Sequence, residues 1–472
     1  MTSTRTAVVV GSGPNGLAAA VRLAQSGLRV TVLEAHSSVG GGTRTAELTI
    51  PGLLHDVCSA VHPFGVASPY LSQLPLAEHG LTWRWPEIDL AHPLEDGTAG
   101  VLEGDVATTA RHLGADGKRW GQVFGPIAKA FPAIAHDALG PLVRVPSHPI
   151  RLAQFGLRAA PPASLLARTF RTPQAQALFL GCAAHLFQPL TRPLSSSVGA
   201  MMIAAGHRHG WPVAEGGSRA ITLALASLLE SLGGEIVLDT HVRTVAELPD
   251  ADITMFDTTP TVLAEIVGAR VPRRRRRAYE SWRYGPAAYK VDLAVRAGIP
   301  WTAEAARRAG TVHVGGTADT IIDSERAVAA GRMPDRPFVL VGQQYLADPS
   351  RSVGEIHPIW AYAHVPNGFT GDATDTVIKE IERYAPGLRE RIVGRHVTTP
   401  AGFESYNPNY VGGDIGGGSN SVPQLIGRPT LSADPYYTGI PGMYLCSAST
   451  PPGAGIHGMC GFNAAQSALR RL

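Results

Sequence analysis

The sequence predicts an α/β protein in which a parallel nucleotide-binding sheet is interleaved with a second domain of mixed sheet and helices. Three units predict this fold. A strand, glycine turn and helix open the chain, a second glycine-rich helix and strand unit lies at 213–260, and a strand, glycine loop and helix end it. The proline-rich residues 66–207 lie between the first two units and are predicted to be an insertion into the nucleotide domain.

The first unit has the spacing of a dinucleotide-binding turn. An apolar run leads into Gly11-x-Gly13-x-x-Gly16, with Pro14 and Asn15 inside the pattern, and an alanine-rich helix follows. Gly11 allows the sharp turn, Gly13 leaves room for a pyrophosphate beside the backbone, and Gly16 lets the helix pack on the strand. The start of that helix offers free N–H groups to phosphates. A glycine turn that binds no nucleotide is the alternative interpretation.

An acidic residue follows at the distance that a nucleotide site requires. Gly27 ends the helix, Arg29–Leu33 is predicted to be the second strand, and Glu34 and Ala35 follow it. An acid about twenty residues beyond the turn is expected to bind the ribose hydroxyls. Because a carboxylate there would repel a 2′-phosphate, NADP is disfavoured as the ligand of this site.

Composition excludes several classes of function. The chain has 472 residues and a formal net charge of +3, which is too small for a protein that binds nucleic acid through a basic face. The basic run 273–277 is predicted to be a solvated helix face. No stretch of about eighteen apolar residues is present, so no membrane-spanning helix is expected. The four cysteines are scattered and no metal-binding pattern occurs, which favours a reducing, cytoplasmic setting.

A second glycine cluster follows Glu34 closely. The pattern Glu-x(5)-Gly-Gly-Gly-Thr-Arg, ending at Arg44, resembles the second segment of the FAD-binding superfamily of flavoprotein amine oxidases and phytoene desaturases. The resemblance implies FAD as cofactor and places Gly41, Gly42, Thr43 and Arg44 near its pyrophosphate and ribityl chain. A flexible surface loop is the alternative. The stretch containing Ala60, Val61 and His62 resembles the segment that returns to the flavin.

The unit at 213–260 resembles a later FAD-binding segment of the same superfamily. Ser218 is a predicted N-cap for a helix over Ile221–Leu232, and Glu235–Leu238 and His241–Val245 are predicted strands. The resemblance implies that the backbone of Val242 meets the adenine.

The end of the chain resembles the final FAD motif of phytoene desaturase-like oxidoreductases, including its Pro-Gly-x-Gly core. The resemblance implies that Ser447, Ala448, Gly458 and Met459 lie at the flavin, where a helix N-terminus would stabilise the charge of the reduced ring. Serines replace two glycines and His457 replaces a proline of carotenoid enzymes. The overall pattern is closer to the pyridine nucleotide-disulphide oxidoreductase domain 2-like branch, although no redox cysteine pair is present.

The resemblance implies a Rossmann-type FAD-binding domain with an interleaved α+β substrate domain. The FAD-binding domain is predicted to comprise 1–65, 206–285 and 400–472, and the substrate or cap domain 66–205 and 286–399. Within the latter, Tyr289–Val295 alternates apolar and polar residues, which predicts a half-buried antiparallel strand in a mixed sheet.

The predicted function is that of an FAD-dependent oxidoreductase that removes hydride from a largely apolar small molecule at flavin N5. His457 is the first candidate for an acid, base or orienting role, with simple packing against the cofactor as the alternative. His62, Glu404, Tyr406 and Asn407 are weaker candidates. The electron acceptor, the oligomeric state and covalent attachment of the flavin stay open.

Three other functions fit the same sequence. They are a flavin amine oxidase, a redox-neutral flavin-dependent isomerase, and a non-catalytic prenyl-binding protein of the same fold. Peripheral membrane contact through the basic, apolar segment 149–171 is a further hypothesis, although Pro161 and Pro162 interrupt that segment.

Overall fold

The structure is a computed structural model that describes residues 5–472. The described residues form sixteen strands and nineteen α-helices. In chain order the strands are β1 (Thr6–Val10), β2 (Arg29–Leu33), β3 (Thr45–Glu47), β4 (Leu54–Asp56), β5 (Trp83–Arg84), β6 (Ile88–Pro93), β7 (Ala99–Leu102), β8 (Val213–Ala214), β9 (Glu235–Val237), β10 (Ile253–Phe256), β11 (Ala287–Arg296), β12 (Ala309–Val314), β13 (Val339–Gly342), β14 (Ile356–Val365), β15 (Ile392–Thr398) and β16 (Met443–Leu445).

The helices surround two large sheets and form most of the insertion between β7 and β8. In chain order they are α1 (Pro14–Ala24), α2 (Pro63–Val66), α3 (Val106–His112), α4 (Gly117–Lys129), α5 (Phe131–Ala138), α6 (Pro149–Ala159), α7 (Ala163–Ala167), α8 (Pro173–Ala184), α9 (Ser197–His209), α10 (Arg219–Ser231), α11 (Pro260–Val267), α12 (Arg273–Glu280), α13 (Glu304–Arg308), α14 (Ala318–Ala329), α15 (Thr374–Glu382), α16 (Leu388–Arg391), α17 (Pro400–Tyr406), α18 (Val422–Ile426) and α19 (Met459–Leu469).

The first sheet is parallel and brings distant parts of the chain together. Its order is β16-β10-β1-β2-β9, so the N-terminal strand β1 lies between β10 and β2. The two ends of the chain also meet, because α19 packs on α1. That contact is close enough that a Cβ at Gly461 would stand 1.8 Å from the carbonyl oxygen of Asn15. The α/β fold with a Rossmann-type sheet is therefore confirmed.

The second sheet is mixed, in the order β15-β11-β14-β13-β12-β6-β7. The pair β6 and β12 is parallel and the other neighbours are antiparallel. The strands of this second sheet all lie within 66–205 or 286–399, and the division of the chain into domains stays a prediction.

Strand β11 corrects one expectation. Tyr289–Val295 was expected to be half-buried, but β11 is buried on both faces except at Arg296. Its polar residues Lys290 and Asp292 form a buried ion pair with each other. The Nδ1 atom of His55 lies 3.4 Å from the Asp292 carboxylate. Polar residues therefore alternate along this strand because they pair inside the protein.

In the 213–260 unit one strand expectation is wrong, and the N-cap expectation is right in position but not in its side-chain bond. His241–Val245 is irregular, and the Glu247 carboxylate accepts hydrogen bonds from the amides of Arg243 (2.6 Å) and Thr244 (3.1 Å), which a strand would give to a neighbour. Ser218 precedes α10, but its side chain makes no capping bond to the helix. Its hydroxyl donates instead to the carbonyl oxygen of Ser59 at 2.7 Å.

The insertion is helical, and its interior is aromatic. Trp120, Phe124, Phe170 and Phe179 are fully buried and contact one another. The predicted interruption at Pro161 and Pro162 separates α6 from α7. The predicted basic face at 273–277 is the exposed side of α12. Among residues 5–472, no helix combines the length and apolarity needed to cross a bilayer.

Candidate functional site

A cleft of about 390 Å³ opens at the carboxyl edge of the parallel sheet. It lies where β1 meets α1, which is the place expected of a nucleotide site in such sheets. Most of the predicted FAD-binding residues line it. They are Gly11, Gly13, Pro14, Asn15, Glu34, Ala35, Gly41, Gly42, Arg44, Val242, Ser447 and Ala448.

The other predicted residues occupy different positions. Gly16 and Thr43 lie behind the cleft wall, where the Thr43 hydroxyl donates to the carbonyl of Gly40 at 2.7 Å. Ala60, Val61 and His62 line a second cavity, described below. Gly458 and Met459 line neither cavity, because they form the start of α19 where it packs on α1.

The cleft is shaped by glycines whose missing side chains leave necessary space. A Cβ at Gly13 would lie 2.6 Å from the carboxylate Oδ2 of Asp257, and one at Gly42 would lie 2.3 Å from the hydroxyl of Tyr410. At Gly41 it would stand 3.0 Å from the Cα of Gly13, with a backbone φ of 51°. Any side chain at the first two positions would fill the cleft or displace its wall, so the glycine cradle fits a dinucleotide lying against the backbone.

Glu34 is held at the cleft by a set of hydrogen bonds. Its carboxylate accepts from the amides of Ser12 and His36, both at 2.9 Å, and from the Arg44 guanidinium at 3.2 Å. Arg44 also donates to the carbonyl of Ser38 at 2.7 Å. The carboxylate is therefore fixed at the end of β2, and its contact with ribose hydroxyls stays a prediction.

Asp257 is a cleft residue that the sequence analysis did not find. It follows β10, and its carboxylate accepts a hydrogen bond from the amide of Gly16 at 3.0 Å. Desolvation, with a smaller contribution from the charge of Glu34, raises the pKa of Asp257 to about 7. The available sequence signal is an acid placed directly after the apolar run Ile253–Phe256.

A second cavity of about 250 Å³ adjoins the cleft and lies against the mixed sheet. Its wall is rich in aromatic side chains, and the ring of Tyr362 contacts those of Phe187 and Trp360. We call it the apolar chamber. Six residues line both the cleft and the chamber: Gly42, Tyr410, Ile415, Ala454, Gly455 and Ile456.

Burial disfavours the charged forms of the titratable groups of the apolar chamber. Desolvation lowers the pKa of His62 to about 4 and that of His185 to about 3. Burial raises the pKa of the Cys58 thiol to about 11. It also raises the pKa of Asp414, whose carboxylate accepts backbone hydrogen bonds from Gly285 and from two further glycines, at 2.7–2.9 Å. The chamber thus has no free charged group among the lining residues that the structure describes.

His62 is the one weaker candidate that reaches the chamber. Its Nε2 atom pairs with the hydroxyl of Ser218 at 2.8 Å, and its buried Nδ1 has no partner among the described protein atoms. Of the others, Tyr406 and Asn407 line the cleft, whereas the Glu404 carboxylate accepts from the amide of Gly412 at 3.0 Å.

His457 lines neither cavity. Its Nδ1 atom accepts a hydrogen bond from the amide of Met459 at 3.0 Å, and burial lowers its pKa to about 4. The ring therefore caps the first turn of α19. This position favours the packing role over the acid–base role.

Comparison with known proteins agrees with this geometry. Residues 9–74 match the family model of an NAD(P)-binding Rossmann-like domain. Pyridine nucleotide-disulfide oxidoreductase domain-containing protein 2 of Rattus norvegicus is 24% identical, over 99% of this chain and 93% of its own length. Hydroxyneurosporene desaturase of Cereibacter sphaeroides is 26% identical, over 98% of this chain and 97% of its own length. The structure of putrescine oxidase bound to putrescine has a TM-score of 0.61 and 18% identity, covering 99% of this chain and 98% of that one.

These comparisons together support the FAD-dependent oxidoreductase superfamily for this chain. Its two relatives match over nearly their whole lengths, and the fold extends over nearly the whole of the solved oxidase. The Rossmann-like domain and these relatives point to FAD as the cofactor, and the glycine cradle at Gly13 and Gly42 fits it. All four cysteines of this flavoprotein are free and buried, so none forms a disulfide despite the name of its relative.

Proposed function

We propose that this flavoprotein dehydrogenates a compact, largely apolar small molecule, which gives up hydride at flavin N5. The observation that carries this proposal is the shared wall of six residues, from Gly42 to Ile456, between the cleft and the apolar chamber. A flavin ring lying at this wall would face a substrate in the chamber. A reaction by hydride transfer requires that arrangement.

The cleft residues divide into three groups in this proposal. The glycine turn, with Gly13, and the start of α1 would hold the diphosphate. Glu34 and Val242 would hold the adenosine half, and Ser447 and Ala448 would hold the flavin half. Bound FAD supplies the hydride acceptor at this site.

The apolar chamber contributes its shape and the exclusion of water to the proposed reaction. Its aromatic wall excludes water, which prevents loss of charge and protons to solvent during transfer. His62 and His185 stay neutral there and can orient a substrate by hydrogen bonding without introducing charge. Because the chamber contains no strong base, the substrate must be one that loses its proton readily or to bound water.

The size and charge of the chamber narrow the substrate class. At about 250 Å³ it lies below the usual range for drug-sized ligand sites, which favours a compact molecule over a long polyene. A phytoene desaturase-like substrate would therefore place only one end in the chamber. A polyamine would need a free carboxylate, and that of Asp414 is already saturated by backbone amides.

One observation favours a flavin amine oxidase as the second candidate. Trp360 and Tyr362 lie edge to face with ring centroids 4.9 Å apart in the chamber wall, close to the region shared with the cleft. Such aromatic faces attract a cationic or polarised amine. An apolar monoamine would satisfy both this wall and the absence of a free charge.

The decisive experiment is anaerobic mixing of purified holoprotein with candidate apolar monoamines, cyclic alkenes and polyenes while the visible flavin absorbance is followed. Bleaching identifies the substrate class, and reoxidation by air or quinone then identifies the electron acceptor. A product formed with no acceptor and no bleaching would assign the isomerase instead. A colourless protein that takes up no FAD would contradict the proposal and favour the prenyl-binding alternative.

A variant tests the place of the reaction. Val198→Phe narrows the chamber, and we expect it to slow bleaching at least about tenfold while FAD content is retained. Ser197→Phe, one position earlier on α9 and outside the lining, is the matched control. If the flavin bleaches at the same rate in both variants, the reaction lies outside the chamber. We further propose a cytoplasmic setting, which the four buried free thiols support.

A further inference from the structure

Exposed apolar side chains are concentrated on one part of the helical insertion. Among the residues that the structure describes, fifteen large apolar side chains are exposed, and six of them fall within 142–165. Single exposed apolar residues are ordinary, but a local group marks an interaction surface. We call this group the apolar ridge. It comprises Leu142, Val143, Val145, Ile150, Leu157 and Leu165, and Val145 is the most exposed at 93%.

Helix α6 is apolar on two opposite faces. Phe155 and Ala159 are buried against the insertion. Ile150 and Leu157, two turns apart on the other face, are 72% and 75% exposed. Packing within the chain therefore explains only one of the two faces, and the outer face is left without a partner in the described structure.

The charge around the apolar ridge has one sign. Residues 117–210 contain ten basic residues (Lys or Arg) and one acidic residue (Asp or Glu). The rest of the chain contains 31 basic and 37 acidic residues. The single acid, Asp137, is buried and is used internally. Its carboxylate accepts from the amides of Ser147 (2.9 Å) and His148 (2.7 Å), which fixes the loop that presents the residues before α6. The charges that this segment contributes at the surface are therefore predominantly positive.

A groove beside the apolar ridge brings two cations together. Lys129 at the end of α4 and Arg151 on α6 both line it, together with Gln154. No acidic residue lines this groove. Two cations and an amide donor at the edge of an apolar surface are suited to the phosphate group of a lipid.

We propose that the apolar ridge docks on the surface of a membrane that contains anionic phospholipids. Ile150 and Leu157 would enter the boundary of the acyl chains, and the basic residues of the insertion would face the lipid phosphates. Pairing with a second copy through the same face would bring two positive surfaces together, which disfavours that occupant. Since α6 packs on α9, which carries chamber residues Val198 and Met202, docking places the bilayer next to a helix of the chamber wall.

Vesicle flotation of the holoprotein tests this surface without any measurement of activity. We expect binding to phosphatidylcholine vesicles containing a quarter phosphatidylglycerol to exceed binding to pure phosphatidylcholine at least about tenfold, and to weaken at high salt. Ile150→Asp with Leu157→Asp should reduce binding at least about tenfold. Lys129→Glu with Arg151→Glu should remove the preference for anionic vesicles.

Leu223→Asp is the matched control, because Leu223 is 51% exposed on α10, outside the insertion. It should bind vesicles as the parent protein does, and FAD content and circular dichroism verify that all variants fold. No binding by the parent protein, or binding unchanged in the Ile150 and Leu157 double variant, would overturn the proposal. A dimer in light scattering that the same double variant dissociates would assign the surface to a second copy instead.

Discussion

The carboxylate of Asp257 accepts a hydrogen bond of 3.0 Å from the amide of Gly16, 241 positions earlier in the chain. That amide lies in the first turn of α1, whose free N–H groups are the expected partners of a diphosphate. The chain thus places its own acid beside the position predicted for an anionic ligand. Burial raises the pKa of Asp257 to about 7, so its charge changes across the physiological range.

This arrangement predicts that FAD affinity depends on pH. Below pH 7 the Asp257 carboxyl is protonated and does not repel the diphosphate, whereas above pH 7 it is ionised. We expect FAD to bind about tenfold more weakly at pH 8 than at pH 6. The Asp257→Asn variant should bind FAD with equal affinity at pH 6 and pH 8. The measurement is the quenching of flavin fluorescence when FAD is titrated with the apoprotein.

Asp252→Asn is the control for this change, since Asp252 accepts from the amide of Thr6 at 2.7 Å and does not line the cleft. It should keep the pH dependence of the parent protein. An Asp257→Asn protein whose affinity still fell between pH 6 and 8 would show that another group is responsible.

A second prediction concerns the contact between Gly42 and Tyr410. A Cβ at residue 42 would lie 2.3 Å from the Tyr410 hydroxyl but 3.7 Å from the adjoining ring carbon. Gly42→Ala should therefore displace Tyr410 at the shared wall and weaken FAD binding at least about tenfold. Adding Tyr410→Phe removes the clashing oxygen and should restore much of the affinity. Tyr410→Phe alone serves as the reference, and a double variant no better than Gly42→Ala would indicate a different cause.

The sequence predicted the cofactor part of this protein well because its signals are local. A strand, a glycine turn and a helix follow one another between Thr6 and Ala24, and the physical reason for each glycine lies within that turn. Gly11 and Glu34 line the cleft as these local signals predict, and Arg44 lines it as the resemblance implies. Buried parallel strands also form apolar runs in the sequence, so β1 and β2 could be predicted on either side of the first helix.

Contacts between distant residues could not be predicted in the same way. Lys290 and Asp292 alternate with apolar residues like the exposed face of a strand, but they are buried together because the sheet is covered on both sides. Ser218 has the identity of an N-cap, yet it serves His62, 156 positions earlier. The role of Tyr410 depends on its approach to Gly42, which no local pattern encodes.

A third prediction concerns a buried ion pair. Arg351 is fully buried and contacts the carboxylates of Asp56 and Asp348, the latter at 3.1 Å. Its charge holds the pKa of Asp56 below the ordinary value against the desolvation that would raise it. Arg351→Gln leaves a buried carboxylate without its cation, so we expect the free energy of unfolding to fall by about 3–5 kcal/mol in urea titrations.

The exposed pair of Arg84 and Glu215, at 2.9 Å, supplies the comparison for that variant. Its side chains are about half in solvent, so Arg84→Gln should change the free energy of unfolding by less than about 1 kcal/mol. Similar losses of unfolding free energy in the two variants would mean that burial of Arg351 does not increase the stabilisation that its ion pairs provide.

The last prediction concerns stability in acid. Desolvation lowers the pKa of His92 and of His62 to about 4, and that of His185 to about 3, all below the ordinary value of 6.5. Between pH 6.5 and 4 the unfolded chain therefore binds protons at these positions that the folded chain does not, so stability falls as the pH falls. Each such histidine contributes about 1.4 kcal/mol per pH unit within this window. His92→Gln, which can still donate to the carbonyl of Gly316, should reduce the slope of unfolding free energy against pH by that amount. Leu340→Val, which removes core volume but no titrating group, should lower stability without changing the slope, and an unchanged slope in His92→Gln would refute the assignment.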